Sequence, residues 1–327
     1  MSRHLPWGFV LLVFGALAAL PWLGGAYTLD LVTKIIVYAI FALSLELMVG
    51  GTGLVCFGHA AFFGIGAYSA VLLSPSGEAA SVVWLLPAAV AAAAAYALAV
   101  GALALRTQGV YFIMVTLAFA QMAYYVVHDT PVGGGTDGIY LYVKPVFGPL
   151  DLDRPLVMYH LALASLVGVF GLLALLRRSR FGRALAGIKA NEQRMRATGF
   201  STYPYKLAAF VLSGGIAGLA GWLFAVKDGF VNPELLSWHL SGAVLIMVLL
   251  GGLGHLRGAV IGAFAFALLQ EFYKSEAVFG AWAKHWQLGL GLTIIACVAW
   301  LPRGLIGLWP AAWTASARGQ KDLHDDR

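Results

Sequence analysis

Four polar side chains interrupt long apolar runs: Lys34, Glu46, His59 and Gln121. An ionisable group at membrane depth is costly, so by default it marks an ion path, a proton relay or a paired contact. His59 can carry a proton or line a pore, or it can be hydrogen-bonded into a helix contact. Glu46 and Lys34 are 12 residues apart, about 18 Å along one helix, and cannot pair with each other. Lys34 lies near one end of its span and can snorkel. Glu46 lies about one turn from the other end, where snorkelling or an inter-helix hydrogen bond is expected. Gln121 reads as a polar helix contact. A self-sufficient proton-coupled carrier needs more buried ionisable groups than these. An enzyme needs a polar cluster, and its candidates, His59, Glu46 and Asp137, fall at different depths.

The other chemical motifs are missing. No Gly-x-x-x-x-Gly-Lys-Ser/Thr phosphate loop, His-Glu-x-x-His pair or Gly-x-Ser-x-Gly elbow occurs. No strand precedes Gly64-Ile-Gly66 or Gly289-Leu-Gly291, so neither is a dinucleotide turn. No catalytic residue, metal site or cofactor is expected. Cys56 and Cys297 lie within or beside apolar runs and read as small packing residues.

The elements that must position these groups follow from composition. Hydrophobic residues make up 61% of the chain and charged residues 11%, against about 25% charged in soluble domains. Lipid must be the solvent for most of this surface. The runs are continuous rather than alternating, which selects an all-α polytopic transmembrane bundle over a barrel. Ten spans are expected, near 7–23, 29–49, 54–73, 82–105, 109–127, 156–176, 207–226, 240–253, 259–272 and 287–301. The eighth and ninth are short, and hydropathy leaves open two tilted helices or one re-entrant pair. The first reads as an uncleaved helix rather than a signal peptide. Residues 1–312 form the membrane domain, and 313–327 a short polar tail.

With the amino terminus placed in the cytoplasm, the inner side carries fifteen of the 21 Lys and Arg, the outer side carries five, and Lys34 lies inside a span. This bias puts both termini inside. It also accounts for the net charge of +6 without a nucleic-acid partner.

Helices in lipid associate by close backbone approach, so small residues four apart mark packing faces. Ala60 and Gly64, Gly214 and Gly218, and Gly258 and Gly262 are so placed. Either they pack within the bundle or one such face meets a partner subunit. The third span is glycine-dense, which predicts a broken helix or a backbone lining a path. Gly58, His59, Gly64 and Gly66 are the candidate path residues.

A basic loop, 177–205, interrupts the spans. Phe181, Leu185, Ile188 and Met195 recur at helical spacing, Arg183, Lys189, Arg194 and Arg196 fill other faces, and Glu192 precedes Arg196 by four. Gly199 supplies a stop. One amphipathic helix over 181–198 is expected, lying on anionic lipid or entering a groove of a soluble partner.

Here the chain resembles the LivM-type permeases of branched-chain amino acid ABC importers, over roughly residues 31–308. The resemblance is carried by GLVCFGHAAFFGIGAY at 53–68, RTQGVYF at 106–112, TLAFAQ at 116–121, GGTDG at 134–138, SRFGRA at 179–184, Asn191, Glu192, Gly199, YKLAAFVLS at 205–213, Pro233, Glu234 and GGLG at 251–254. It implies a bacterial inner-membrane permease that pairs with a second permease subunit, two cytoplasmic ATPases and a periplasmic substrate-binding protein. It also implies that Phe181, Arg183, Leu185, Ile188, Glu192 and Gly199 belong to the segment that couples to the ATPases. Arg194 and Met195 stand where the family has small residues, and Cys56 where it often has Ser. Similar permeases serve urea and short-chain amide importers, an alternative cargo; an ion-coupled secondary carrier is a more distant alternative.

Overall fold

A computed structural model describes residues 25–75, 77–148, 150–301 and 304–308, with 15, 17, 20 and 21. Of the expected first span only residues 15, 17, 20 and 21 are among these, and the polar tail lies outside them. The chain is an all-α helical membrane protein. Among the described residues, six helices are long and apolar enough to cross a membrane: α1 (Ala26–Glu46, prolonged by a π turn, Leu47–Thr52), α3 (Val82–Ala104), α4 (Val110–Asp129), α5 (Pro155–Arg178), α8 (Thr202–Asp228) and α10 (Leu256–Lys274). Three more expected spans are shorter helices. These are α2 (His59–Leu72) and α9 (Trp238–Gly251), of 14 residues each, and α12 (Trp286–Trp300), of 15. At 1.5 Å per residue none reaches the roughly 30 Å of a hydrocarbon core. Two short helices, α6 (Arg180–Ala190) and α7 (Glu192–Ala197), occupy the basic loop, and α11 (Glu276–Phe279) follows α10.

The expected span over 54–73 begins late, because Leu54–Gly58 is not helical and α2 starts at His59. The break falls in the glycine-dense stretch, with Gly53 at φ +76°. The stretches expected as the eighth and ninth spans are two helices, α9 and α10, joined at Gly252–His255. A Cβ on Gly251 would stand 1.8 Å from the Gly258 carbonyl, and one on Gly262 1.9 Å from the Met247 carbonyl. Only glycine allows α9 and α10 to cross this closely.

The centre is α1 and α8. In their most apolar stretches 89% and 83% of residues are buried, against 17% in α4. That ranking makes α1 and α8 the interior helices and leaves α4 on the surface. The small-residue face of α8 is consumed within the chain. Gly214 and Gly218 meet the Cβ atoms of Ala97 and Ala93 on α3, where an added Cβ would come within 2.4 Å. A Cβ on Gly221 would stand 1.8 Å from the Phe63 carbonyl, and one on Gly66 2.2 Å from the Gly218 carbonyl. Lipid gives helices no hydrophobic drive to associate, so these backbone contacts hold α2, α3 and α8 together.

The helix ends opposite the basic loop are capped by short antiparallel strands. β1 (Ile139–Tyr140) pairs with β4 (Phe230–Val231), and β2 (Val146–Phe147) with β3 (Leu150–Asp151). Lys227 bridges Asp30 and Asp228 there, both at 2.8 Å, and Lys144 pairs with Asp153 at 3.1 Å.

Candidate functional site

The basic loop folds as two helices instead of one. Asn191, at φ −162° and ψ 100°, breaks the expected run over 181–198, and its side chain accepts a hydrogen bond from the Arg194 N–H to cap α7. The chain turns so that Met195 lies over Gly187, where a Cβ would come 3.0 Å from its sulfur. Helical spacing alone extends across this break because Met195 keeps the register from the second helix. α6 is capped by Ser179, whose hydroxyl accepts from the Gly182 N–H. α7 ends in a Schellman motif. Gly199 N–H donates to the Arg196 carbonyl at 2.9 Å, and Phe200 N–H to the Met195 carbonyl at 3.1 Å. This ending requires a left-handed residue, and Gly199 sits at φ +82°.

The apolar face of the pair is seated on the bundle. Leu185 and Ile188 are buried, and Phe181 stacks on Tyr205 with ring centres 5.6 Å apart. α6 packs on the π turn, α5 and α8. Protein therefore covers the surface that a lipid-lying helix would insert. The exposed residues include Arg183, Ala186, Lys189, Ala190, Gln193, Arg194, Arg196 and Ala197, with Gly199. The six residues expected to couple thus divide: Phe181, Leu185, Ile188 and Glu192 turn toward the bundle, while Arg183 and Gly199 face out.

Glu192 is held from three sides. Its Oε1 accepts from Arg196 Nη2 at 2.6 Å, Thr202 Oγ1 at 2.8 Å and Lys206 Nζ at 2.8 Å. Burial pushes its carboxyl up, but the hydrogen bonds from Lys206, Thr202 and Arg196 outweigh this and hold it below the ordinary carboxylate value. Lys206 is the strong partner because it is 3% exposed, whereas the Arg196 pair is half-open to water and weak. The Arg196 pairing follows from i,i+4 spacing. Sequence reading missed Thr202 and Lys206, although a lysine one turn inside a helix that enters lipid needs a partner.

A second polar group lies at the same end of the bundle, next to α6. Glu46 is fully buried and accepts from Arg177 Nη2 at 2.7 Å, while Arg177 Nη1 donates to the Gly254 carbonyl at 2.8 Å. Of the two outcomes open for Glu46, the inter-helix bond holds and snorkelling does not. Its carboxylate folds over Gly50, where a Cβ would stand 2.0 Å from Oε1. Lys189 Nζ donates to the Gly50 carbonyl at 2.9 Å. The sequence signal for Arg177 was its place at the same membrane face as Glu46.

The candidate path residues are packed. His59 Nε2 meets Ser44 Oγ at 2.7 Å, and since the serine hydroxyl donates to the Phe41 carbonyl at 2.6 Å, the imidazole is the donor. Phe41 stacks on its ring at 5.4 Å. Added Cβ atoms on Gly58 and Gly64 would collide with the Thr116 carbonyl of α4 and with Leu236. Among the described residues no group of three His, Cys, Asp or Glu could hold a metal ion, and Cys56 and Cys297 are free thiols.

Fold and site together define a polytopic helical membrane protein with a seated helix pair on one end of its bundle. Residues 27–298 match the family described as branched-chain amino acid transport system / permease component, and the chain belongs to that family. It is 30% identical over 313 residues to the high-affinity branched-chain amino acid transport system permease protein LivM of Escherichia coli K12, covering 88% of this chain and 72% of the relative. It is 29% identical over 323 residues to the LivM protein of Salmonella typhimurium LT2, covering 91% and 74%. The corresponding permease protein BraD of Pseudomonas aeruginosa is 26% identical over 166 residues, half of each chain. No solved structure matches the chain.

Proposed function

We propose that this chain is one permease subunit of an ATP-driven importer in the bacterial inner membrane, moving branched-chain or related hydrophobic amino acids. It works with a second permease subunit, two cytoplasmic ATPases that supply hydrolysis, and a periplasmic binding protein that delivers the solute. The relatives' names support the cargo, with urea or a short-chain amide as the alternative. The membrane domain spans 1–312 in about ten crossings, with both termini cytoplasmic. Support for this topology comes from the clustering of Lys206, Arg177, Glu46 and Gly254 at one end and of Asp30, Lys227, Lys144 and Asp153 at the other.

The observation that carries the reading is the α6–α7 pair. Its apolar face is anchored and its polar, alanine-rich face is open, as a rigid handle for an ATPase groove requires. Phe181, Leu185, Ile188 and Glu192 fix the handle, and Arg183, Arg194 and the turn at Gly199 meet the partner. Solute passes beside α4. The exposed side of that helix, with Tyr111, Met114, Met122 and Tyr125 beside Gln121, is more polar than the aliphatic side of α12, with Leu288, Leu292, Ile295 and Val298. Gly58, His59, Gly64 and Gly66 form the packed wall behind α4. The test is Ala186→Trp together with Ala190→Trp. On this reading, ATPase co-purification is lost while the permease stays folded; retained binding and uptake contradict it.

A further inference from the structure

Two cations flank α6 and reach back to the same short stretch of α1. Arg177 stands three residues before α6 and holds Glu46; Lys189 stands in the last turn of α6 and holds the Gly50 carbonyl. Between these anchors the backbone has π geometry, Leu47–Thr52. Such turns are rare, weakly bonded and often functional. The stretch bends easily because it contains Gly50 and Gly51 and runs into Gly53 at φ +76°. Gly50 is also the residue that leaves room for the buried carboxylate.

The geometry points to a transmission joint, in which Arg177 and Lys189 act as positioning residues that force the π turn of α1 to follow α6. This rests on the coupling role proposed above and names the part of the bundle that α6 moves. α6 is a short rigid rod, so a push on its open face moves both of its ends. Its far end is tied by Lys189 to the Gly50 carbonyl, and at its near end Arg177, in the last turn of α5 just before the Ser179 cap, is tied to Glu46. Arg177 ties the same point to Gly254, in the turn between α9 and α10. Movement of one docking helix is thereby delivered to α1 and to the α9–α10 hairpin at once. From Glu46 the next contact lies two residues back: Ser44 Oγ binds His59, and the Ser44 carbonyl accepts from Ser213 Oγ of α8 at 2.5 Å. The joint thus opens onto the packed wall of α2 and α8.

The test uses the full importer, this chain co-expressed with its permease, ATPase and binding-protein partners and reconstituted in liposomes. Lys189→Met, Arg177→Lys and Glu46→Gln are compared with Lys189→Arg, which keeps a donor for Gly50. The expected result is that the first three retain the ATPases and hydrolyse ATP at the wild-type rate, while solute moved per ATP falls about 5- to 150-fold, the range of a site-to-site coupling. Lys189→Arg stays near wild type. A wild-type ratio of solute to ATP in Lys189→Met and Glu46→Gln overturns the joint. So does a parallel loss of both activities with loss of the ATPases, which marks a purely structural role. Should the wild-type chain carry solute without ATP or partners, the underlying reading fails instead, and the control arm shows it.

Discussion

The α2–α3–α8 seam and the loop end of the bundle are held by opposite means. The seam has almost no charge. It is closed by Gly66, Gly214, Gly218 and Gly221 against backbone carbonyls and alanine methyls, contacts that tolerate no added atom. The loop end is closed by a few long polar side chains, Arg177, Lys189 and Lys206, each reaching across several ångströms of protein to a carboxylate or a carbonyl. Packed backbones resist sliding, whereas flexible side chains let a contact survive a shift of their anchor. The first region is built to stay closed, and on the reading proposed above the second is the part that gives.

The sharpest break of this contrast is Gly221→Ala. Its methyl would enter the Phe63 carbonyl, and a loss of at least about 3 kcal/mol, the upper end of overpacking, is expected in thermal unfolding of the detergent-solubilised protein. Lys206→Met follows, at about 2 kcal/mol, because it leaves Glu192 with only its weaker donors; the same unfolding measurement reads it. Gly199→Ala is smaller, about 1 kcal/mol, set by the left-handed conformation alone, since nothing lies within 4 Å; faster hydrogen exchange confined to residues 192–200 is the check. Gly168→Ala, on α5 with open space around it, should reverse the sign and stabilise by up to about 1 kcal/mol. If it costs as much as Gly221→Ala, the seam has no special status.

Acid sharpens the other side of the comparison. The carboxyl of Glu192 lies below its ordinary value when folded, so the pair with Lys206 contributes fully above the unfolded value and is lost as pH falls through the depressed folded value. The loop end is therefore expected to loosen below the ordinary carboxylate range while the uncharged seam does not change. Hydrogen exchange of 192–206 against 214–221 across that range measures it, and Glu192→Gln should flatten the dependence.

Much of this was legible beforehand. Apolar run length and the scarcity of charge give the bundle, and small residues four apart mark the α8 face. Charge sign by loop places Glu46 beside the basic end. The breaks were harder to read. Met195 keeps helical phase across Asn191, so periodicity cannot see a break that depends on a side-chain cap. Hydropathy treats 54–58 as membrane because it is apolar, although that stretch is not helical. Partners such as Lys206 for Glu192 depend on which helix folds over the loop, which is long-range information.

Reconstitution with and without companions tests the central claim most directly. Solute uptake is measured in liposomes carrying this chain alone and in liposomes carrying the assembled importer with ATP inside and binding protein outside. The account predicts ATP-dependent accumulation only in the assembly, abolished when the α6–α7 face is blocked. Accumulation at the full rate by this chain alone would contradict it.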